Sequence, residues 1–216
     1  MRGVFVTGTG TDVGKTVVAA IIARSIAAEG TRVAVFKPAV SGLNGATPDH
    51  ELLRRAASSA QSDDEVAPYR YVPPVSPHLG AELAGEAIDP ARLLRDVRAA
   101  EADAEFLVCE GVGGLLVPLT LGYLVRDFAL EVGLPLVVAS KPGLGAINHT
   151  LLTIEAARAV GLEVRSVVLT PWPRDPSPIE LSNREAIERL GGVRVVPLAW
   201  LDLDEPDSWP PLRLDG

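Results

Sequence analysis

Gly8 to Thr16 reads GTGTDVGKT and lies between an apolar run and the start of a helical pattern. Glycines, hydroxyls and one lysine in that setting suit backbone amides wrapped around phosphate. Lys15 would reach the outer phosphates and Thr16 would offer its hydroxyl to Mg²⁺. A dinucleotide fingerprint does not fit: counting from Gly8 and Gly10, the third glycine is due where Val13 stands, and the next strand ends in Lys37 rather than in a carboxylate for a ribose. Against G-x-x-x-x-G-K-[ST], Gly14, Lys15 and Thr16 match, while the first glycine falls one residue early, at Gly8 instead of Thr9. The departure weakens the formal motif and leaves its mechanics intact.

Lysine is scarce, with Lys15, Lys37 and Lys141 the only ones, so each raises a question. Lys37 ends an apolar run, which puts its ammonium either at the edge that holds Lys15 or simply in solvent. Asp49 opens the helical pattern PDHELLRRAA, as a cap or as an oxygen ligand. Glu110 closes FLVC and precedes GVGG, so a strand would deliver a carboxylate to a place where glycines let backbone approach a ligand. Thr16, Asp49 and Glu110 together are hard oxygen donors of the kind Mg²⁺ takes beside phosphates. Cys109, the single cysteine, sits within an apolar run and is expected to be an inert core thiol.

The elements that must position these residues show as short β-branched runs alternating with helical patterns. Strands are expected at 4–7, 33–36, 106–109, 135–140, 166–170 and 193–198, and helices at KTVVAAIIARSIAAEG, DPARLLRDVRAAEAD, LVRDFALEVG, HTLLTIEAARAVG and PIELSNREAIERLGG. Gly30, Gly133, Gly161 and Gly191 stand where helix C-caps belong. Such alternation predicts an α/β fold: a mostly parallel sheet with helices on both faces, P-loop NTPase-like, in one domain spanning 1–216. Ligands bind beyond the carboxyl ends of such strands, so GTGTDVGKT, KPAVSGLNG, EGVGGLLVP and SKPGLGAINH should converge there. Ala60 to Asp89, rich in proline, is expected to be an ordered loop over the same edge.

The 216 residues carry a net charge of −8 with 47% hydrophobic and 22% charged residues, a composition that speaks against nucleic-acid binding and against disorder. No apolar run approaches the ~18 residues of a membrane span, and a cytoplasmic location is expected.

In order and at these separations, VTGTGTDVGKT, FKPAVSG, PVSPH, CEGVGGLLVPL and GLGAINHTLLT resemble the dethiobiotin synthetase family, whose own pattern contains the displaced first glycine. The resemblance is strongest up to about residue 170. It implies an ATP- and Mg²⁺-dependent ligase that closes a ureido ring on 7,8-diaminopelargonate with CO₂. In that chemistry one amine forms a carbamate, the carbamate oxygen takes the γ-phosphoryl group, and the second amine attacks the mixed anhydride and expels phosphate. Carried over by motif, Thr11, Asp12, Val13, Gly14, Lys15, Thr16 and Val17 would hold nucleotide; Lys37, Lys15, Thr11 and Ser41 would serve catalysis; Thr16, Asp49 and Glu110 would bind the metal. Ser41, Gly113 and Asn148 would contact substrate, Asn148 taking the distant carboxylate near the partner subunit of a homodimer unless it is a plain helix cap.

Two residues depart from the family. Asp12 stands where Glu is frequent, and Thr170 stands at or beside the asparagine that reads the nucleotide base. Losing that amide's paired donor and acceptor relaxes base selection, which would fall to backbone around Trp172 and Pro197, Leu198 and Ala199 and leave other triphosphates usable. Two other functions are less well matched. An amidoligase of the same P-loop group would bring a glutamine-hydrolysing domain with a catalytic cysteine. A partition-type ATPase would carry a signature lysine where Gly10 stands.

Overall fold

The structure, a computed structural model, describes residues 2–43 and 47–214; the Asn44 and Gly45 of the expected KPAVSGLNG segment lie outside the described residues. In chain order the first half forms β1 (Gly3–Gly8), α1 (Lys15–Ala27), β2 (Val33–Phe36), β3 (Val40–Ser41), α2 (Asp49–Ala56), α3 (Asp63–Val66), β4 (Arg70–Tyr71), α4 (Pro77–Ala84) and α5 (Pro90–Ala102). The second half forms β5 (Phe106–Glu110), β6 (Pro118–Thr120), β7 (Tyr123–Leu124), α6 (Val125–Val132), β8 (Leu136–Ser140), α7 (Ala146–Arg158), β9 (Val164–Trp172), α8 (Pro178–Gly191) and β10 (Arg194–Ala199).

Six strands make one sheet in the order β10-β9-β8-β1-β5-β2, every neighbouring pair parallel. Each central strand divides its residues between two cores, as the period of two requires. Val4, Val6, Val33, Val35 and Val108 pack with α1 and α2. Phe5, Ala34, Phe36, Leu107 and Cys109 pack with α5 and α6 on the other face. By the same alternation Glu110, next after Cys109, belongs to the α1 side. Toward β10 a further cluster joins Val138, Val167 and Leu169 to Ile154 of α7 and Ile187 of α8. Cys109 is fully buried, in accord with a core thiol. Among the described residues no helix is long and apolar enough to cross a membrane.

Helix α1 is apolar nearly all round because it is covered on more than one side. Below it lies the sheet, beside it α2, and over it the segment after β10, whose Leu201 and Trp209 belong to the same core.

Three expectations are corrected. Residues 60–89 are not one loop: α3, β4 and α4 lie there, with β4 paired in parallel to β3. These elements are only two to eight residues long, too short to show a hydrophobic period, and they hold by specific contacts instead. A capping box joins Ser62 to Glu65, and a Cβ on Gly80 would lie 2.6 Å from the Tyr71 ring, so α4 rests directly on that ring. Of the four expected glycine caps only Gly133 holds that position: Gly30 and Gly161 lie two residues beyond caps at Ala28 and Ala159, and Gly191 is the last residue of α8. Gly192 takes the left-handed conformation with φ 56°, while Gly191 lets α7 come close, its notional Cβ 3.0 Å from Ile154 Cδ1. Helix α7 starts at Ala146, three residues before the expected His149.

Phe128 of α6 meets Phe5 edge-on at 6.0 Å between ring centroids and Phe36 at 6.1 Å, tying β1 and β2 to one helix. Phe128→Ala is expected to lower the free energy of unfolding by about 3–5 kcal/mol, and Phe128→Leu by clearly less. Urea denaturation of the two variants measures this; a loss below about 1 kcal/mol for the alanine variant would mean the three-ring contact does not secure α6.

Candidate active site

Strand β1 ends at Gly8 and α1 begins at Lys15, so the residues between them must turn tightly. A Cβ on Gly8 would meet Val13 Cγ2 at 2.6 Å and Lys15 Cγ at 2.8 Å. Gly14 takes φ 87°, and its notional Cβ would sit 2.6 Å from Thr170 Cγ2, so the turn is pressed against the end of β9. Asp12 is left-handed, with φ 55°. The Thr9 amide donates to the Ala139 carbonyl at 3.0 Å, docking the turn on β8, and Lys15 Nζ donates to the Gly10 carbonyl at 2.7 Å, folded across its own loop. The loop after β5 approaches from the other side: a Cβ on Gly114 would lie 3.6 Å from the Gly8 carbonyl oxygen, and Gly113 takes φ 60°.

Beside this turn lies a buried charge cluster. Glu110 is 0% exposed and Lys37 is 2% exposed. Lys37 Nζ donates to Glu110 Oε1 at 2.5 Å and lies 2.7 Å from Asp49 Oδ2, while Thr16 Oγ1 donates to Glu110 Oε1 at 2.9 Å. Strand ends supply Lys37 and Glu110, and helix starts supply Thr16 and Asp49. Asp49 is therefore no cap, since Pro48 holds the cap position of α2 and the carboxylate faces the lysine.

Burial alone would lower the Lys37 ammonium, but Glu110 and then Asp49 reverse this and raise it above the ordinary lysine range. Burial would likewise raise Asp49, yet Lys37 and Thr16 hold it below the usual carboxylate range. For Glu110 burial prevails over Lys37 and the carboxyl is raised. Lys15 is lowered, chiefly by burial, although Glu110 pulls the other way.

Glu110 Oε2 is buried and has no hydrogen-bond partner among the described residues. A carboxylate oxygen so placed, beside the Thr16 hydroxyl and the Asp49 carboxylate, fits a hard divalent cation. His50, Glu51 and Asp63 also gather within 4.8 Å of one another. Arg54 Nε is 3.4 Å from Asp63 Oδ1, which offsets one of the two carboxylates and makes the group a brace between α2 and α3.

A cleft of about 380 Å³ opens alongside, between Asp12, Val13, Gly14 and Val17 on one wall and Thr170, Pro171 and the stretch Trp200 to Asp204 on the other. Pro197, Leu198 and Ala199 are not on its walls: they lie within β10, and the chain reaches the cleft only beyond them. Trp172 packs on the α7–α8 core. The tryptophan at the cleft is Trp200, 72% exposed. Sequence reasoning missed this wall because WLDLD is an irregular stretch with no period and no motif. A tryptophan among acidic residues just past a strand was the one available signal.

The remaining expected residues are more dispersed. Thr11 is exposed on the turn, and Ser41 is half-buried in β3, four residues beyond Lys37. Asn148 is exposed and is not a cap, because Gly145 caps α7 and Asn148 is the third residue of that helix. It lines a separate cleft of about 440 Å³ with Leu144, Ile147, Leu151, Leu152 and Asn183.

The comparisons agree with one another. A family description reading "AAA domain" matches residues 2–201. The ATP-dependent dethiobiotin synthetase BioD of Anaeromyxobacter dehalogenans strain 2CP-1 is 41% identical over 191 residues, which covers 88% of this chain and 86% of that one. The protein of the same name from Bacillus subtilis strain 168 is 34% identical over 198 residues, covering 91% and 86%. The backbone is similar to a ParA family ATPase from Chlorobium tepidum TLS, with a TM-score of 0.58 at 12% identity over 95% of this chain and 87% of that one. That last likeness is one of fold alone.

The opposite shifts of the two lysines give a pH prediction. Lys15 loses its proton below the ordinary lysine value of about 10.4, while Lys37 keeps its own beyond it. Affinity for a nucleoside triphosphate should therefore fall, as pH rises, before that value is reached. Lys15→Arg, whose guanidinium stays charged, should move the fall to higher pH. Isothermal titration across the alkaline range measures it, and an unmoved limb in the arginine variant would assign the titration to another group.

Proposed function

The chain belongs to the dethiobiotin synthetase family and is an ATP-dependent ligase of that kind, and we propose that the cluster of Lys15, Lys37, Asp49 and Glu110 carries the phosphoryl transfer by which it closes a ureido ring on 7,8-diaminopelargonate with CO₂. The observation that supports this reading is the buried ammonium of Lys37 between two carboxylates, next to a phosphate-binding turn.

Both reacting groups are anions. A carbamate oxygen must approach the γ-phosphorus and form a P–O bond as the bond to ADP breaks, so positive charge has to be fixed where they meet. Lys15 meets the phosphates from the turn. Lys37, already flanked by Glu110 and Asp49, donates to the carbamate and the equatorial oxygens and offsets part of their charge, and Ser41 and Thr11 orient oxygens by hydrogen bonds. The second amine then attacks the carbonyl carbon of the mixed anhydride, the ring closes, phosphate leaves with the bonding electrons, and the proton that the amine sheds passes to the departing phosphate or to solvent. Thr16, Asp49 and Glu110 would hold Mg²⁺, which when bound offsets the charge of the β- and γ-phosphates. Gly113 brings backbone close to the diamine.

Asn148 would receive the distal carboxylate of the diamine. It stands in the first turn of α7, where unpaired amides favour an anion. Leu144 is 98% exposed on the same cleft. An apolar surface of this kind suits the homodimer, with the substrate close to the partner subunit.

The cleft beyond the turn would take the nucleotide base. Its polar side chains are Asp12, Thr170, Asp202 and Asp204, with the donor-only indole of Trp200. None offers the paired donor and acceptor of an amide, and the carboxylates favour bases that bear an exocyclic amine. Selection among such bases is expected to be loose.

Purified protein with ATP, Mg²⁺, bicarbonate and 7,8-diaminopelargonate should yield dethiobiotin by mass spectrometry. Lys37→Ala should reduce kcat by roughly a thousandfold while changing the KM for nucleotide by less than about tenfold, since the lost charge acts mainly in the transition state. A change confined to that KM would remove Lys37 from the chemistry.

For the base, kcat/KM with CTP and GTP should come within about two orders of magnitude of that with ATP, each ~1.4 kcal/mol of discrimination being a factor of ten. UTP, which lacks the amine, should be the poorest of the four. Thr170→Asn should shift preference toward purines. Strict ATP dependence of the unmodified protein would mean that backbone beside the cleft already reads the base without Thr170.

A further inference from the structure

One wall of the base cleft belongs to no helix or sheet. Trp200 to Asp204 is irregular chain, and its place is set by the residues just beyond it. Trp209 is 8% exposed and sits in the core that contains α1 and α2. Its indole N–H reaches back seven residues to donate to the Asp202 carbonyl at 2.6 Å. Around this anchor the segment is fastened to both helices. Arg24 of α1 pairs with Asp207 at 2.7 Å, and the Leu212 amide donates to Ser25 Oγ, also on α1, at 2.9 Å. Arg55 of α2 donates to the Leu203 carbonyl, and Leu201 is itself buried in the core.

From this arrangement we propose that residues 200–212 form a strap that shapes the base cleft, and that Trp209 is a positioning residue for nucleotide binding. It acts through the Asp202 carbonyl and touches neither phosphate nor diamine. The indole plugs the core beneath the strap and holds Asp202 in place, which fixes Trp200 and Asp204 on either side of it. Without the plug the wall would move while the phosphate-binding turn, held by β1 and β8, would not. The inference rests on the reading of the cleft as the base site.

The test compares ATP with inorganic tripolyphosphate, which presents phosphates and no base, by isothermal titration in Mg²⁺. The full-length protein is used with Trp209→Ala, Trp209→Phe and Arg55→Met. Trp209→Ala should weaken ATP roughly tenfold or more, the scale of one lost buried contact, and leave tripolyphosphate unchanged. At saturating ATP its kcat should stay within about threefold of the unmodified protein, because the loss is one of ground-state binding. Trp209→Phe keeps the plug but loses the N–H donor, and should lie between. Arg55→Met, which frees the Leu203 carbonyl at the surface, should shift ATP alone in the same direction and guards against an alanine variant that fails to fold. The inference is overturned if ATP binding is unchanged in these variants, or if ATP and tripolyphosphate weaken together. If the unmodified protein binds ATP no more tightly than tripolyphosphate, the cleft is not a base site at all. That failure shows before any substitution is made.

Discussion

A fully buried carboxylate at the end of a central strand constrains the whole site. Glu110 gives up water on every side, and an unpaired charge so placed would cost several kcal/mol. The chain resolves this by bringing Lys37 and Thr16 to the same oxygen, which fixes where three other elements begin or end. Strand β2 must stop where Lys37 can turn inward, α1 must start with Thr16 in its first turn, and α2 must open with Asp49 facing the ammonium. Two lysines and two carboxylates balance there. A triphosphate and a carbamate would bring negative charge that this balance does not meet, and a divalent cation is the economical way to meet it.

Rigidity in the phosphate-binding turn comes from its neighbours rather than from its own composition. Its glycines permit contacts that a side chain would block, with β9 through Gly14 and with the loop after β5 through Gly114. A hydroxyl chain extends the connection: Thr9 Oγ1 and Thr150 Oγ1 both donate to Ser140 Oγ, at 3.4 and 3.0 Å. Thr9 is in the turn, Ser140 ends β8 and Thr150 is in the first half of α7. The helix that carries Asn148 is thus tied to the turn that would hold the phosphates, so both ends of a long substrate would refer to one frame.

What could be read in the sequence divides along physical lines. The strands in the middle of the sheet are buried on both faces and β10 only in part, so their β-branched runs stand out, and a parallel sheet directs attention to the residues just past each strand. That logic found Lys37 and Glu110 without any knowledge of their contacts. It could not find β3, β4 or α4, which owe their form to Tyr71, Gly80 and a two-residue pairing, nor the strap, whose buried Trp209 and Leu201 lie in a stretch of prolines and acids. It also looked to Pro197, Leu198 and Ala199 of β10 for the base, whereas the cleft beside the turn is walled by the chain just beyond them, a turn with no marker in residue type. Asn148 looked like a cap or a ligand, and the left-handed Gly145 removed the first choice.

The two halves of the site are therefore built on different principles. Lys15, Lys37, Thr16 and Glu110 sit on the ends of elements whose cores are continuous with the sheet, where a displacement of a side chain would be felt across the fold. Trp200 to Asp204 has no helix or strand of its own: Leu201 reaches the α1 core, and the rest hangs on point contacts, one indole, two arginines and a serine hydroxyl. If the cleft takes the base, substitutions in the strap would act on base recognition, whereas a change at Glu110 would alter its charge balance with Lys37 directly. Thr170 stands at the seam between the two: it is buried, its methyl group lies against Gly14 of the turn, and it also lines the cleft, so a change there would be felt on both sides.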